Sequence, residues 1–171
     1  IMLEEIEKME SVTSELLFVS KPMTDERTSE SLKDMLGDVI TLMDTQAKMQ
    51  SITIRTEIPE GIFIFCDRSQ IKQVFINIIK NAIEAMQEGG LLEIKVSRKD
   101  KRVHIDIVDE GPGIPEDVRQ KITEPFFTTK KNGTGLGLMI SSQILDKHNG
   151  FFEIHPNETI GTTFRLVLPA E

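Results

Sequence analysis

The chain has 171 residues and a formal net charge of −8. That length suffices for one proper core, and the acidic balance argues against a nucleic-acid partner, whose phosphates it would repel. The single cysteine, Cys66, excludes an internal disulfide and a cysteine-based metal cluster, no apolar run reaches membrane-span length, and no secretory-type leader opens the sequence. A cytoplasmic location is expected, with any membrane contact made through segments outside this sequence.

Residues 1–20 read as a helix. Ile6, Met9, Thr13 and Leu16 recur at alternating steps of three and four, a heptad-like seam that Met2, Leu3, Val12 and Leu17 widen. Either this helix packs on the main domain or it belongs to a bundle; the sequence begins in mid-pattern, which favours a helix cut from a longer one. Pro22 stops it near Ser20 or Lys21. The division expected is a helix over 1–22, a polar linker over 23–30, and one domain over 31–171. In that domain Ser31 caps a helix to about Gln50, with Leu32, Met35, Leu36, Val39, Leu42 and Met43 on one face. Ile52 to Ile58 alternates like a strand, Pro59-Glu60-Gly61 turns the chain, and Ile62 to Cys66 reads as a more buried strand. Cys66 there is best read as a small buried hydrophobe.

Asp67 then caps a long helix, with Gln70 as its capping-box partner, and Gly89-Gly90 ends it. Leu91 to Arg98 and Arg102 to Val108 are strands joined at Lys99-Asp100-Lys101. Pro115 to Ile122 is a short helix. Residues 123–136 have little apolar periodicity. Leu138 to Lys147 is a helix ended by Asn149-Gly150, and Phe151 to His155 and Thr162 to Leu168 are the closing strands. The fold class expected is α/β: a two-layer sandwich with a mixed, mostly antiparallel sheet and helices on one face.

Several stretches carry chemistry. In Gly133-Thr134-Gly135-Leu136-Gly137-Leu138, glycines admit close approach of backbone N–H groups to a ligand. A helix starting near Gly137 aims free amides and its positive dipole end at the same place, which suits phosphate. On the 67–88 helix, Ile71, Val74, Phe75, Ile78, Ile79, Ala82, Ile83 and Met86 keep a 3/4 spacing. Asn77, Asn81 and Glu84 form a second stripe beside it. That stripe is either a solvated polar flank or a Mg²⁺ site, since an amide oxygen is a hard neutral ligand that Mg²⁺ shares with water and phosphates. Asp109 continues the inward face of Val103, Ile105 and Ile107, and a carboxylate there is costly unless hydrogen-bonded. It either caps the turn at Gly111 and Gly113 or serves a ligand. Lys130 is either a solvated loop charge or a phosphate contact on a lid formed by 123–136.

These stretches fall in the order of the motifs of bacterial sensor histidine kinases, in the Bergerat-fold superfamily. Asn77-Ile-Ile-Lys80-Asn81-Ala-Ile-Glu84-Ala resembles the N box, and Asp109-x-Gly111-x-Gly113 the G1 box. Glu124-Pro125-Phe126-Phe127-Thr128-Thr129-Lys130 resembles the F box, Gly133 to Leu138 the G2 box, and Gly161-Thr162-Thr163-Phe164 the last glycine box. The resemblance covers about Ser31 to Leu168 and supplies a sheet order that periodicity leaves open. It implies an ATP-binding catalytic domain that passes the γ-phosphoryl group to a histidine on an upstream dimerisation hairpin, for relay to a response regulator or phosphorelay protein. The cofactors implied are ATP and Mg²⁺, and the full-length protein is expected to be a homodimer.

By the same resemblance Asn81 is the metal ligand, and Asn77, Asn81 and Lys130 serve the transfer. Nucleotide binding is assigned to Asn77, Lys80, Asn81, Asp109, Gly111, Gly113, Lys130, Gly133, Thr134, Gly135, Leu136, Gly137 and Thr162. Asp109 would accept the adenine amino group, Thr162 would support that end through its hydroxyl or a water, and Phe126 and Phe127 would anchor the lid. Glu84 matches an acidic residue of some members. Related ATPases carry a water-activating glutamate where this chain has Asn77, which cannot act as a general base. The histidines His104, His148 and His155 are followed by Ile105, Asn149 and Pro156, not by the Glu or Asp of an acceptor site. The resemblance to sporulation and nitrogen-regulation kinases lies in the F box. An ATPase or serine kinase of the same fold, and a non-catalytic nucleotide-binding module, are the alternatives.

Overall fold

The computed structural model describes residues 2–20, 25–130 and 133–171. The expected helix stop at Pro22, and the expected boundary between 22 and 23, lie outside the described residues. Helix α1 spans Met2–Ser20. Its seam is not covered: Ile6, Met9 and Leu16 are all exposed.

Thr28–Ser31, expected as the end of a linker and the start of a helix cap, form strand β1. It pairs antiparallel with β3 (Phe63–Cys66), Thr28 opposite Cys66 and Ser31 opposite Phe63. Four polar residues carry no hydrophobic alternation, so the pairing is invisible in the sequence; the Arg68 guanidinium holds Glu30 and Asp38 from the side. Ser31 also caps helix α2 (Leu32–Met49), accepting from the Asp34 N–H at 3.3 Å. Leu42, expected on the buried face of α2, is 63% exposed, because it sits at the margin of that stripe where no other element covers it.

Strand β2 (Ile52–Glu57) and β3 flank the expected turn, where Gly61 has φ +76°. β3 is not the buried strand expected. Ile64 and Cys66 point inward while Phe63 and Phe65 are exposed, because successive side chains of a strand face opposite ways and one face of this two-stranded sheet is left uncovered. Burial pushes the Cys66 thiol up to about 12, consistent with a packing residue and not a nucleophile. Asp67 caps helix α3 (Arg68–Ala85), taking the Gln70 N–H at 3.1 Å. The reciprocal half of the capping box is replaced: Gln70 Nε2 donates to Asp67 Oδ2, and the Asp67 N–H donates to His148 Nε2 at 3.1 Å. His148 Nδ1 lies 2.7 Å from the Ile144 carbonyl, so this buried ring ties the start of α3 to the end of α5 (Gly137–Lys147).

Strands β4 (Gly90–Lys99), β5 (Arg102–Val108), β6 (Phe151–Pro156) and β7 (Thr162–Pro169) complete a five-stranded sheet of order β2-β4-β5-β7-β6. Only β2 and β4 run parallel. Helix α4 (Glu116–Lys121) follows β5. The two-layer α/β sandwich with a mixed, mostly antiparallel sheet is therefore as expected. Its core joins Leu92, Ile94, Ile105, Ile107 and Leu166 of the sheet to Val39, Ile71, Phe75, Ile78 and Ile144 of the helices. Each such side chain contributes about 1.5–3 kcal/mol through burial. The opposite sheet face is polar, with Arg55 paired to Glu93 and Arg165 to Asp106. Among the described residues no helix is long and apolar enough to cross a membrane.

Candidate nucleotide-binding site

A cleft of about 1210 Å³ opens between α3, the loop after β5 and the segment that leads into α5. Asp109 lies at its base, 3% exposed. Its backbone N–H donates to the Thr162 carbonyl at 2.9 Å. Its Oδ1 accepts from the N–H of Gly111 at 2.8 Å and of Thr162 at 3.2 Å. The turn-capping reading of Asp109 holds through Oδ1; Oδ2 is left without a protein partner among the described residues. Burial pushes the Asp109 carboxyl up, against the pull of the Gly111 and Thr162 amides. Thr162 grips Asp109 with its backbone, and no hydroxyl contact is needed for that grip. Gly111 and Gly113, the latter at φ +82°, also line the cleft.

On the opposite side α3 presents Asn77, Lys80, Asn81 and Glu84. The Asn77 amide is fully engaged by protein: Nδ2 donates to the Gly137 carbonyl at 3.0 Å and to Ser141 Oγ at 3.1 Å, and Oδ1 accepts from Gln73 at 2.9 Å. It therefore holds the first turn of α5 against α3. Asn81 Oδ1 accepts from Lys130 Nζ at 2.8 Å, and the same ammonium is hydrogen-bonded to Glu84 Oε2. Lys80 is exposed, 4.0 Å from Glu84. Asn81 Oδ1 is a hard neutral oxygen of the kind Mg²⁺ takes, while the Glu84 carboxylate beside it holds Lys130. Among the described residues no group of three or more His, Cys, Asp and Glu could hold a metal; Mg²⁺ commonly shares a protein oxygen with phosphate and water.

Gly133, Thr134, Gly135 and Gly137 line the cleft. Gly135 has φ +71° and a Cβ there would strike the Phe126 backbone. Leu136 does not line the cleft: its side chain is 2% exposed and joins the core, so only its main chain is available to a ligand. Helix α5 begins at Gly137 without a side-chain cap, which leaves first-turn amides facing this region. Phe127 lines the cleft, but Phe126 is 65% exposed, at φ +64°, and does not anchor the segment. Its N–H instead donates to the Gly135 carbonyl at 3.0 Å.

Three contributors escaped the sequence reading. Ser141, fully buried on the apolar face of α5, receives Asn77; a serine in a core position was the available signal. Glu15 of α1 reaches the cleft and accepts from the Thr134 hydroxyl. Asn157 donates to the Asp109 carbonyl at 3.0 Å, and no spacing marked either residue.

Residues 66–171 match the family described as histidine kinase-, DNA gyrase B-, and HSP90-like ATPase. The chain is 42% identical over 171 residues to sporulation kinase A of Bacillus subtilis (strain 168), across 99% of this chain and 28% of that protein. Sporulation kinase C of the same organism is 41% identical, across 99% of this chain and 40% of its own length. The chain thus spans well under half of these curated relatives. Among solved structures, the catalytic domain of histidine kinase ThkA matches with a TM-score of 0.79 at 36% identity, over 84% of this chain and 95% of that one. ThkA in complex with response regulator protein TrrA matches with a TM-score of 0.84 at 33% identity, over 99% of this chain and 49% of that one.

Proposed function

Because the chain belongs to the histidine kinase-, DNA gyrase B-, and HSP90-like ATPase family, we propose that it is the ATP-binding catalytic domain of a two-component sensor histidine kinase. The γ-phosphoryl group of ATP goes to a histidine on a hairpin upstream of this sequence, and from there to a response regulator or phosphorelay protein. The observation that carries this reading is one cleft with buried Asp109 at its base, Oδ2 unpartnered, and Asn81, Glu84 and Lys130 on its wall. Asp109 Oδ2 accepts the adenine amino group. Lys130, Thr134 and the first amides of α5 bind the phosphates, and Asn81 holds the metal. When bound there, Mg²⁺ would supply charge neutralisation at the phosphates.

Transfer is favoured over hydrolysis because Asn77 is no base and its amide already serves Gly137, Ser141 and Gln73. The uncovered seam of α1 suits a bundle with the hairpin, raising the local concentration of the acceptor. The likeness to sporulation kinases A and C supports a sporulation-type sensor; a homodimer, and a cytoplasmic place for the catalytic part, belong to the same proposal. Incubation with γ-labelled ATP tests the reading. The chain alone should remain unlabelled, and adding the hairpin should give an acid-labile, base-stable phosphohistidine. Rapid multiple-turnover phosphate release without an acceptor, or an acid-stable phosphoserine, would overturn it.

A further inference from the structure

We propose that Asn157 is the positioning residue that sets the base-recognising carboxylate of Asp109; the inference rests on the nucleotide reading above. Asn157 stands at the head of the β6–β7 loop, partly buried. Its Nδ2 donates to two carbonyls, those of Asp109 and Ile160, both at 3.0 Å. Its Oδ1 accepts from Thr163 Oγ1 at 2.6 Å, which fixes the orientation of the amide. Its backbone N–H donates to the Gly161 carbonyl at 3.2 Å, closing the loop on itself. One side chain therefore joins the loop, strand β7 and the main chain of Asp109.

The consequence reaches the ligand by a short path. The Asp109 carbonyl belongs to the peptide plane that leads to Glu110 and so to the Gly111 N–H, which holds Oδ1. The other donor to Oδ1 is the Thr162 N–H, just past Gly161. Gly161, at φ +91°, packs so close that a Cβ would overlap the Asp109 carbonyl oxygen. The loop and Asp109 are thus in direct main-chain contact, and the Asn157 amide is the polar clamp across that contact. With Asp109 N, O and Oδ1 all engaged, the direction of Oδ2 is determined. Without Asn157, the Asp109 carbonyl loses this partner, the loop can shift, and Oδ2 loses its fixed aim.

The test is nucleotide selectivity. ATP carries a 6-amino donor that Oδ2 accepts, whereas inosine triphosphate carries a 6-oxo group that it cannot. Calorimetric affinities of the 171-residue chain for Mg-ATP and Mg-ITP are compared for the parent, Asn157→Ala, Thr163→Val and Asp109→Ala. Asn157→Ala should weaken ATP about tenfold and leave ITP unchanged, so that the ATP/ITP preference collapses. Thr163→Val, which frees the amide to rotate but keeps it, should give a smaller loss of the same kind and serves if Asn157→Ala does not fold. In an Asp109→Ala background, Asn157→Ala should have no further effect on ATP. Equal losses for ATP and ITP would mark Asn157 as merely structural and overturn the inference, as would an unchanged ATP affinity. If Asp109→Ala itself binds ATP like the parent, the nucleotide reading fails instead.

Discussion

The two ends of the cleft are built on opposite principles. At the base, Asp109 is almost wholly buried, and its N–H, carbonyl and one carboxylate oxygen are each tied to backbone or to Asn157. At the mouth, residues 123–130 are mostly exposed, belong to no helix or strand, and include Lys130, whose ammonium reaches Asn81 and Glu84 on α3 through side-chain contacts alone. A site that must recognise a fixed base gains from preorganisation. A site that must admit a triphosphate, hold it and let a diphosphate leave gains from a segment that can open.

Asp109→Asn strikes the buried base of the cleft most directly. The amide retains an oxygen for Gly111 and Thr162 but turns a donor toward the adenine amino group. ATP affinity should fall about a hundredfold, read by calorimetry, while the nucleotide-free fold persists. The pH dependence has a definite sign. Burial raises the Asp109 carboxyl above its unfolded value, so the nucleotide-free fold is penalised above that raised value and relieved as pH falls through it. The asparagine variant should melt no lower than the parent at neutral pH, and any advantage should shrink on acidification, above the ordinary aspartate range of about 3.9. A variant that melts well below the parent at neutral pH would make Asp109 a structural cap.

Next in size is a glycine contrast. Gly161→Ala sets a Cβ on the Asp109 carbonyl at φ +91°, where only backbone can yield. It should cost about 2–3 kcal/mol of stability, with ATP binding lost in parallel. Gly133→Ala meets the Thr128 hydroxyl, which can rotate away, and the Lys130 Cβ at 3.1 Å, which must give by a few tenths of an ångström in a segment outside any helix or strand. Its melting temperature should move little. Equal destabilisation by both changes, measured by thermal melting, would erase the distinction between the ends. Hydrogen exchange sharpens it: amides of 123–130 should exchange faster than those of 105–109 without nucleotide and slow when Mg-ATP is added.

The same division explains what the sequence revealed. The α3 stripe from Ile71 to Ile83 was legible because burial on one helix face imposes a period. Asp109 was legible because a charge on an inward strand position demands a reason. β1 was not, because its polar residues pair through backbone alone. Phe126 misled because an aromatic in a loop reads as an anchor, while its positive φ turns it to solvent. Asn77 stands at the edge of the apolar stripe of α3, as its spacing implies, but its partners Gly137 and Ser141 lie 60 and 64 residues away. Asn157 acts on a residue 48 positions back, and periodicity carries no information at that range.

The smallest effect tests the mouth of the cleft most finely. Lys130 is shared between Asn81 and Glu84, so if it serves the phosphates as proposed it must leave Glu84. The pair is partly solvent-exposed, with side chains 38% and 31% accessible, and pairs of this kind contribute only about 0.2–1 kcal/mol. Glu84→Gln weakens the hold on Lys130 without touching Asn81, and should raise Mg-ATP affinity by about twofold to fivefold. Lys130→Ala should lower it, because the phosphate contact is lost along with the tether. The Mg²⁺ titration separates this from a direct role in holding the cation. If Glu84 only retains the lysine, the Mg²⁺ concentration at half-saturation stays where it is or falls in Glu84→Gln. If the carboxylate itself helps to hold the metal, that concentration rises and Mg-ATP affinity drops, and Glu84 then belongs with Asn81 as a ligand instead of opposing Lys130.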